Sequence, residues 1–249
     1  MDKKQEIKDL YDGYAEYRYN DATNIKDIHT DISPVMRYYR SRKVETALGM
    51  GKFASGANLL EVGSNAGQYT TILVEKGFAM TGIDLSDKAL VVARRNAELS
   101  NLKNVEYFTS DAEDMSLFKD NTFDGVVSFS TLRYVPDLKK ALGEIYRVTK
   151  KGGTVALDFP NKHCPWFNIL KNKFGVNNHI YDNFYSAGEL RRLFAAVGFT
   201  VIETRNILYT HYKFSPRLLA TFKAIDFVGE RTPVLKELAA IIFCKGVKS

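Results

Sequence analysis

Two hydrophobic patterns take turns along most of this chain: short, nearly continuous apolar runs, and stretches whose apolar positions recur with a helical period. Leu59, Leu60 and Val62 form the first run, which ends in a turn holding Gly63 and Gly67; Gln68 to Glu75 then reads as a helix. Phe78 to Asp84 gives a second strand, and Ser86 caps a helix to about Leu99. A third strand covers Val105 to Thr109 and is closed by Asp111. Phe123 to Phe129 is unbroken enough for the centre of a parallel sheet. Pro136 and Asp137 begin a helix to about Lys150, which Gly152 and Gly153 break before a fifth strand ending at Asp158. A helix over Ser186 to Val197, a sixth strand from Gly198-Phe199 and a last strand over Glu237 to Lys245 complete the pattern. Ahead of it lie a tyrosine-rich helix over residues 2 to 19 and a helix started by Ser33-Pro34 that runs to Gly49 or Gly51. Alternating strands and helices predict a doubly wound parallel sheet, whose ligands sit beyond the carboxyl ends of its strands.

The first strand, turn and helix carry the most specific chemistry. Glycines at such a turn let the backbone approach a ligand, and the helix behind offers free N–H groups. The spacing is Glu61-x-Gly63-x-Asn65-x-Gly67, not the G-x-G-x-x-G of dinucleotide sites, which argues against a nicotinamide oxidoreductase. Asn tolerates a left-handed backbone better than other non-glycine residues and can replace Gly at the middle position. Asp84 closes the next strand 21 positions after Gly63, close to the spacing of roughly 20 at which a carboxylate accepts both ribose hydroxyls.

Taken in order, these segments resemble the motifs of class I S-adenosylmethionine (SAM) dependent methyltransferases. Glu61 to Gly67 looks like the first motif, Gly82-Ile83-Asp84-Leu85-Ser86 like the second, Ser110 to Asp114 like the third, Phe123 to Asp137 like the fourth, and Lys151 to Asp158 like the following strand. The resemblance covers Tyr11 to Cys244; its one departure is Asn65 where Gly is usual. It implies a Rossmann-like α/β fold with a seven-stranded, mostly parallel sheet, an antiparallel last strand, N-terminal helices and a substrate cover. Residues 1–52 would be the helical cover, and residues 53–249 the SAM-binding domain, with insertions near 160–184 and 210–236. The resemblance also assigns SAM to Glu61, Gly63, Ser64, Asn65, Gly67, Asp84, Leu85, Asp111, Ala112, Glu113 and Ser128, with Asp84 on the ribose and the third motif on the adenine edge. Tyr11, with Tyr17 or Tyr19, belongs to a segment that folds over the cofactor in resembling enzymes. Arg42, from the basic cluster Arg37, Arg40, Arg42 and Lys43, is the candidate clamp for the methionine carboxylate; the competing reading of that cluster is a solvated face.

Composition narrows the acceptor only by exclusion. The 249 residues, 45% apolar, suffice for one domain with a sizeable core, and the absence of long apolar runs or a leader predicts a cytoplasmic protein. Cys164 and Cys244 lack metal-ligand spacing and read as reduced core thiols; no metal is expected. The net charge of +6 permits an anionic partner, but nucleic acid is disfavoured. Ser128 to Thr131 replaces the Asn/Asp-Pro-Pro-Tyr/Phe that resembling base-amine methyltransferases carry, and Cys164-Pro165, past the fifth strand, reverses the Pro-Cys nucleophile of resembling base-C5 methyltransferases. A small-molecule or lipid-like acceptor remains, of the kind met by enzymes acting on quinone precursors, sterols and sugars. An oxygen or nitrogen acceptor needs a base within reach of its proton. His163 and His179, in the long 160–184 segment, lead His29 and His211, while Arg133 and Tyr134 shape the pocket after the fourth strand. Residues 211 to 230 form a helix with Ser215 as N-cap and Leu218, Leu219, Phe222 and Ile225 on one face. That face packs on the core in one reading, and meets a lipid substrate or membrane surface peripherally in the other. The competing function, from outside the enzymes, is a SAM- or nucleoside-binding partner subunit without catalysis.

Overall fold

The computed structural model describes residues 3–19, 33–165, 183–211 and 214–249. His29, His179 and most of the 160–184 segment lie outside them. Two helices, α1 (Lys3–Tyr19) and α2 (Pro34–Gly51), precede the sheet. Then come β1 (Asn58–Val62), α3 (Gln68–Glu75), β2 (Ala79–Asp84), α4 (Asp87–Leu99), β3 (Val105–Thr109), β4 (Phe123–Ser128), α5 (Leu138–Val148) and β5 (Thr149–Pro160). The chain ends with α6 (Ala187–Val197), β6 (Phe199–Ile207), α7 (Leu219–Gly229) and β7 (Ile241–Lys248).

The seven strands form one sheet in the order β3-β2-β1-β4-β5-β7-β6. The first five pair in parallel, and β7 runs antiparallel between β5 and β6. The order reverses beside β1, between β1 and β4, and that switch point is where an open α/β sheet leaves a crevice for a ligand.

Successive side chains of a strand face opposite sides. In β1, Leu60 joins Val126, Val155 and the α5 and α6 residues Leu142, Ile145 and Phe194 in one buried layer. Its neighbour Leu59 joins Val127, Ala156, Phe243 and the α2 residues Val44, Ala47 and Met50 in the other. A sheet covered on both faces needs the continuous apolar runs seen in β4 and β5.

Side-chain caps start the helices where they were expected: Ser33 accepts from the Met36 N–H, Ser86 from Ala89, and Ser186 closes a capping box with Glu189. Three boundaries differ from the sequence reading. The glycine pair Gly152-Gly153 lies inside β5, where a register shift against β4 absorbs it, so the strand starts at Thr149. The last strand begins at Ile241, because Leu235–Leu238 forms a 3-10 turn. Ser215 caps nothing with its side chain: a 3-10 turn over Pro216–Leu218 precedes α7.

Candidate active site

The carboxyl ends of β1 to β4 open into a cavity of about 330 Å³, roofed by α1 and α2. Lys4, Ile7, Lys8 and Tyr11 of α1 all reach it, since positions three and four apart share a helix face. Lys4 pairs with Asp111 at 2.5 Å and Glu113 at 2.7 Å, and the Ser86 hydroxyl donates to Asp12, so α1 is tied down over the third and second motifs.

The turn after β1 fits a close ligand. Gly63 has φ +80°, and a Cβ there would fall 2.0 Å from Thr131 Oγ1. Asn65 takes the left-handed region at φ +48°, the role expected of it, and its N–H donates to Asp84 Oδ2 at 2.9 Å. Asp84 Oδ1 accepts from the Ser86 N–H at 3.0 Å. Each oxygen has a second lone pair to offer a diol. Burial raises the Asp84 carboxyl above the ordinary carboxylate range, against the opposing effect of the backbone N–H groups of Ser86 and Asn65.

The wall includes Gly63, Ser64, Asn65, Asp84, Leu85, Asp111, Ala112, Tyr11, Arg133 and Tyr134. Tyr11 and Tyr134 meet edge to face at 6.0 Å, and burial raises the Tyr11 hydroxyl well above its ordinary value.

Other expected residues stand behind the wall. Glu61 is fully buried and accepts from the Thr70 hydroxyl; burial pushes its carboxyl up to about 8. Gly67 caps α3, with Tyr107 against its Cα. Glu113 accepts from the Asp137 N–H, and the Ser128 hydroxyl donates to the Val62 carbonyl, so both side chains join loops and strands to one another. Arg42 forms an ion pair with Glu230 and is not on the wall; the neighbouring Arg40 is. His163 is exposed and outside the cavity, whereas His211 lines it. The chain turns at Asn161, whose amide holds the Glu237 and Ala239 carbonyls, and carries His163 away from the site.

Lys43 is the residue the sequence reading missed. It has no solvent exposure, lies 2.6 Å from Asp158 Oδ2, and donates to Ser130 Oγ at 2.6 Å. Its ammonium sits 5.3, 5.4 and 5.9 Å from the ring centroids of Tyr39, Tyr69 and Phe129. Asp158 Oδ1 accepts from the Ser130 N–H at 2.6 Å, and Ser130, at φ +58°, lines the cavity. The Asp158 Oδ2 contact is Coulombic, since that oxygen has no aligned donor. Within the basic cluster, only Lys43 shares the helical stripe of Tyr39, Ala47 and Met50, the signal that could have turned it inward.

Fold and site together place the cavity at the switch point of a Rossmann-like sheet, where sheets of this kind bind nucleotide cofactors. A family model described as a methyltransferase domain matches residues 60–157. The ubiquinone biosynthesis O-methyltransferase of Pseudomonas fluorescens is 26% identical over 217 residues, which are 83% of this chain and 89% of that one. The demethylmenaquinone methyltransferase of Listeria welshimeri is 31% identical over 136 residues, 53% of this chain and 57% of that one. Phosphoethanolamine N-methyltransferase 2 of Haemonchus contortus, solved with S-adenosyl-L-methionine, shares the fold with TM-score 0.64 at 20% identity, over 96% of this chain and 60% of that one. The chain carries a methyltransferase domain, acts as a SAM-dependent methyltransferase and takes SAM as its cofactor.

Proposed function

We propose that the acceptor is a hydroxylated aromatic compound of quinone-precursor type, and that methylation is on oxygen. The observation that carries this reading is the division of the cavity. Asp84, Ser86 and Asp111 follow β2 and β3 on one side of the switch point, whereas Phe129 and Ile241 adjoin β4 and β7 on the other, where the lining also has Tyr69, stacked on Phe129. Tyr69 and Phe129, stacked on each other at 4.3 Å, give the cavity aromatic surface against which a ring can pack. The names of the ubiquinone and demethylmenaquinone relatives support the same class.

In this reading Asp84 accepts the ribose hydroxyls, Asp111 and Ala112 border the adenine, and the turn at Gly63 and Ser64 admits the methionine moiety. Arg40 replaces Arg42 as the cation for its carboxylate. The helices of residues 1–52 act as the cover through which Tyr11 closes on Tyr134. SAM supplies an electrophilic methyl group on a sulfonium. The chain's part is alignment, which can contribute on the order of 7–11 kcal/mol, and removal of the acceptor proton. His211, on the wall, takes that proton, and Arg133 and Tyr134 hold the ring edge.

The test is transfer from methyl-labelled SAM to catechol-type acceptors with and without an isoprenoid tail. His211→Gln should lower turnover by about 10²-fold or more while leaving S-adenosylhomocysteine affinity within twofold. Full activity of His211→Gln would remove the base, and transfer confined to non-aromatic acceptors would remove the substrate class.

A further inference from the structure

Segment 215–236 presents an unusual outer face. Of the ten large hydrophobic residues exposed among those described, six fall here: Leu218, Ile225, Phe227, Val228, Val234 and Leu235. Phe227 and Val228 are 59% and 56% exposed and Val234 is 76% exposed, so the apolar positions that could have packed α7 on the core point outward instead.

The inward face of α7 is acidic. Asp226 is 1% exposed and accepts from the Tyr209 and Thr210 N–H groups, the Thr210 hydroxyl and the Tyr38 hydroxyl. Glu230 accepts from Arg42 and from the Leu208 N–H. Both acids of the segment are thereby consumed inside the molecule. The charges left on its surface are Arg217, Lys223, Arg231 and Lys236, all cationic, with the Arg231 guanidinium stacked 3.7 Å over the Phe227 ring. Apolar side chains that protrude among four cations, with a single exposed acid, Glu237, at the segment's edge, match an anionic lipid surface: the apolar groups enter the acyl boundary and the cations meet the headgroups. An acidic protein partner would match the cations but leaves the protruding Phe227, Val228 and Val234 without a reason to be apolar.

We infer that segment 215–236 is a membrane-docking surface that seats the enzyme on anionic lipid. The contact is peripheral, since no helix among the described residues is long and apolar enough to cross a membrane. Its position gives it a use. Asp226 holds Thr210, and Thr210 and His211 line the cavity, so the docked face lies directly behind the wall of the acceptor end. A lipid-like acceptor leaving the bilayer would enter beside it. That use rests on the acceptor reading above; docking itself does not.

The experiment is co-sedimentation of the full chain with phosphatidylcholine vesicles and with vesicles containing phosphatidylglycerol, at low and high salt, in the absence of any acceptor. Binding should require the anionic lipid and weaken with salt. Phe227→Asp combined with Val234→Asp should reduce binding at least about tenfold, and Lys223→Ser with Lys236→Ser should remove the preference for anionic vesicles. S-adenosylhomocysteine affinity, measured in the same variants, should stay unchanged because none of these side chains lines the cavity. No sedimentation with anionic vesicles at low salt would overturn the inference, as would binding that survives all four substitutions. A concentration-dependent dimer abolished by Phe227→Asp, without vesicle binding, would reassign the face to a second copy of the chain. Methyl transfer in detergent micelles tests the acceptor reading separately, so either can fail alone.

Discussion

Lys43 and Asp158 form an ion pair from which solvent is excluded, joining helix α2 to the carboxyl end of β5 behind Ser130, which lines the cavity. Around it, three aromatic rings face the ammonium and Ser130 is held from both its amide and its hydroxyl. Removing one partner leaves an uncompensated buried charge, which costs about 3–5 kcal/mol. Lys43→Met should therefore lower the unfolding free energy by that amount, and Lys43→Met with Asp158→Asn should recover most of it, since Asn keeps an acceptor for the Ser130 N–H. Urea unfolding of the two variants gives the comparison, and equal losses would show that the pair is not coupled.

Asp84→Ala removes the acceptor for the Asn65 and Ser86 N–H groups, and with it the acceptor proposed for the ribose. Affinity for S-adenosylhomocysteine should fall more than about tenfold. Titration calorimetry reads this directly, and an unchanged dissociation constant would place the ribose elsewhere.

Gly63→Ala introduces a Cβ 2.0 Å from Thr131 Oγ1 at a φ of +80°. Strain and overlap together should destabilise the protein by about 2 kcal/mol or more. Thermal unfolding of Gly63→Ala alone and with Thr131→Gly separates the two causes: the second change should relieve overlap but not backbone strain.

Glu61 couples stability to pH. Burial raises its folded-state pKa from 4.5 to about 8, so the folded protein holds a proton that the unfolded chain releases above 4.5. Its contribution is fully present below pH 4.5 and is lost as the pH rises through about 8, with a limiting slope of about 1.4 kcal/mol per pH unit. Glu61→Gln should flatten the fall in stability across this window. Parallel stability curves for the two proteins between these limits would show that Glu61 is ionised when folded.

Much of the fold could be read from local patterns, because strands buried on both faces write themselves as apolar runs and the helices between them start at Ser or Asp caps. Asp84 and Gly63 could be read for the same reason: their spacing is set by one βαβ unit. Arg42 and His163 could not. Whether a helix arginine meets the cavity or Glu230 depends on a residue 188 positions away, and His163 follows Asn161, whose amide is held by the Glu237 and Ala239 carbonyls just ahead of β7. Lys43 looked like a surface cation because charge alone says nothing about the ion Asp158 supplies across the fold. The sequence leaves open whether the apolar face of α7 packs on the core, and it does not, because the inward anchors are acids, Asp226 and Glu230, rather than the apolar stripe.

Incubating the purified chain with methyl-labelled SAM and a prenylated catechol tests the account most directly. The prediction is label in the aromatic product, in an O-methyl group, at a rate that falls with Asp84→Ala and with His211→Gln. A chain that binds S-adenosylhomocysteine tightly yet labels no aromatic acceptor, with or without an isoprenoid tail, would contradict it.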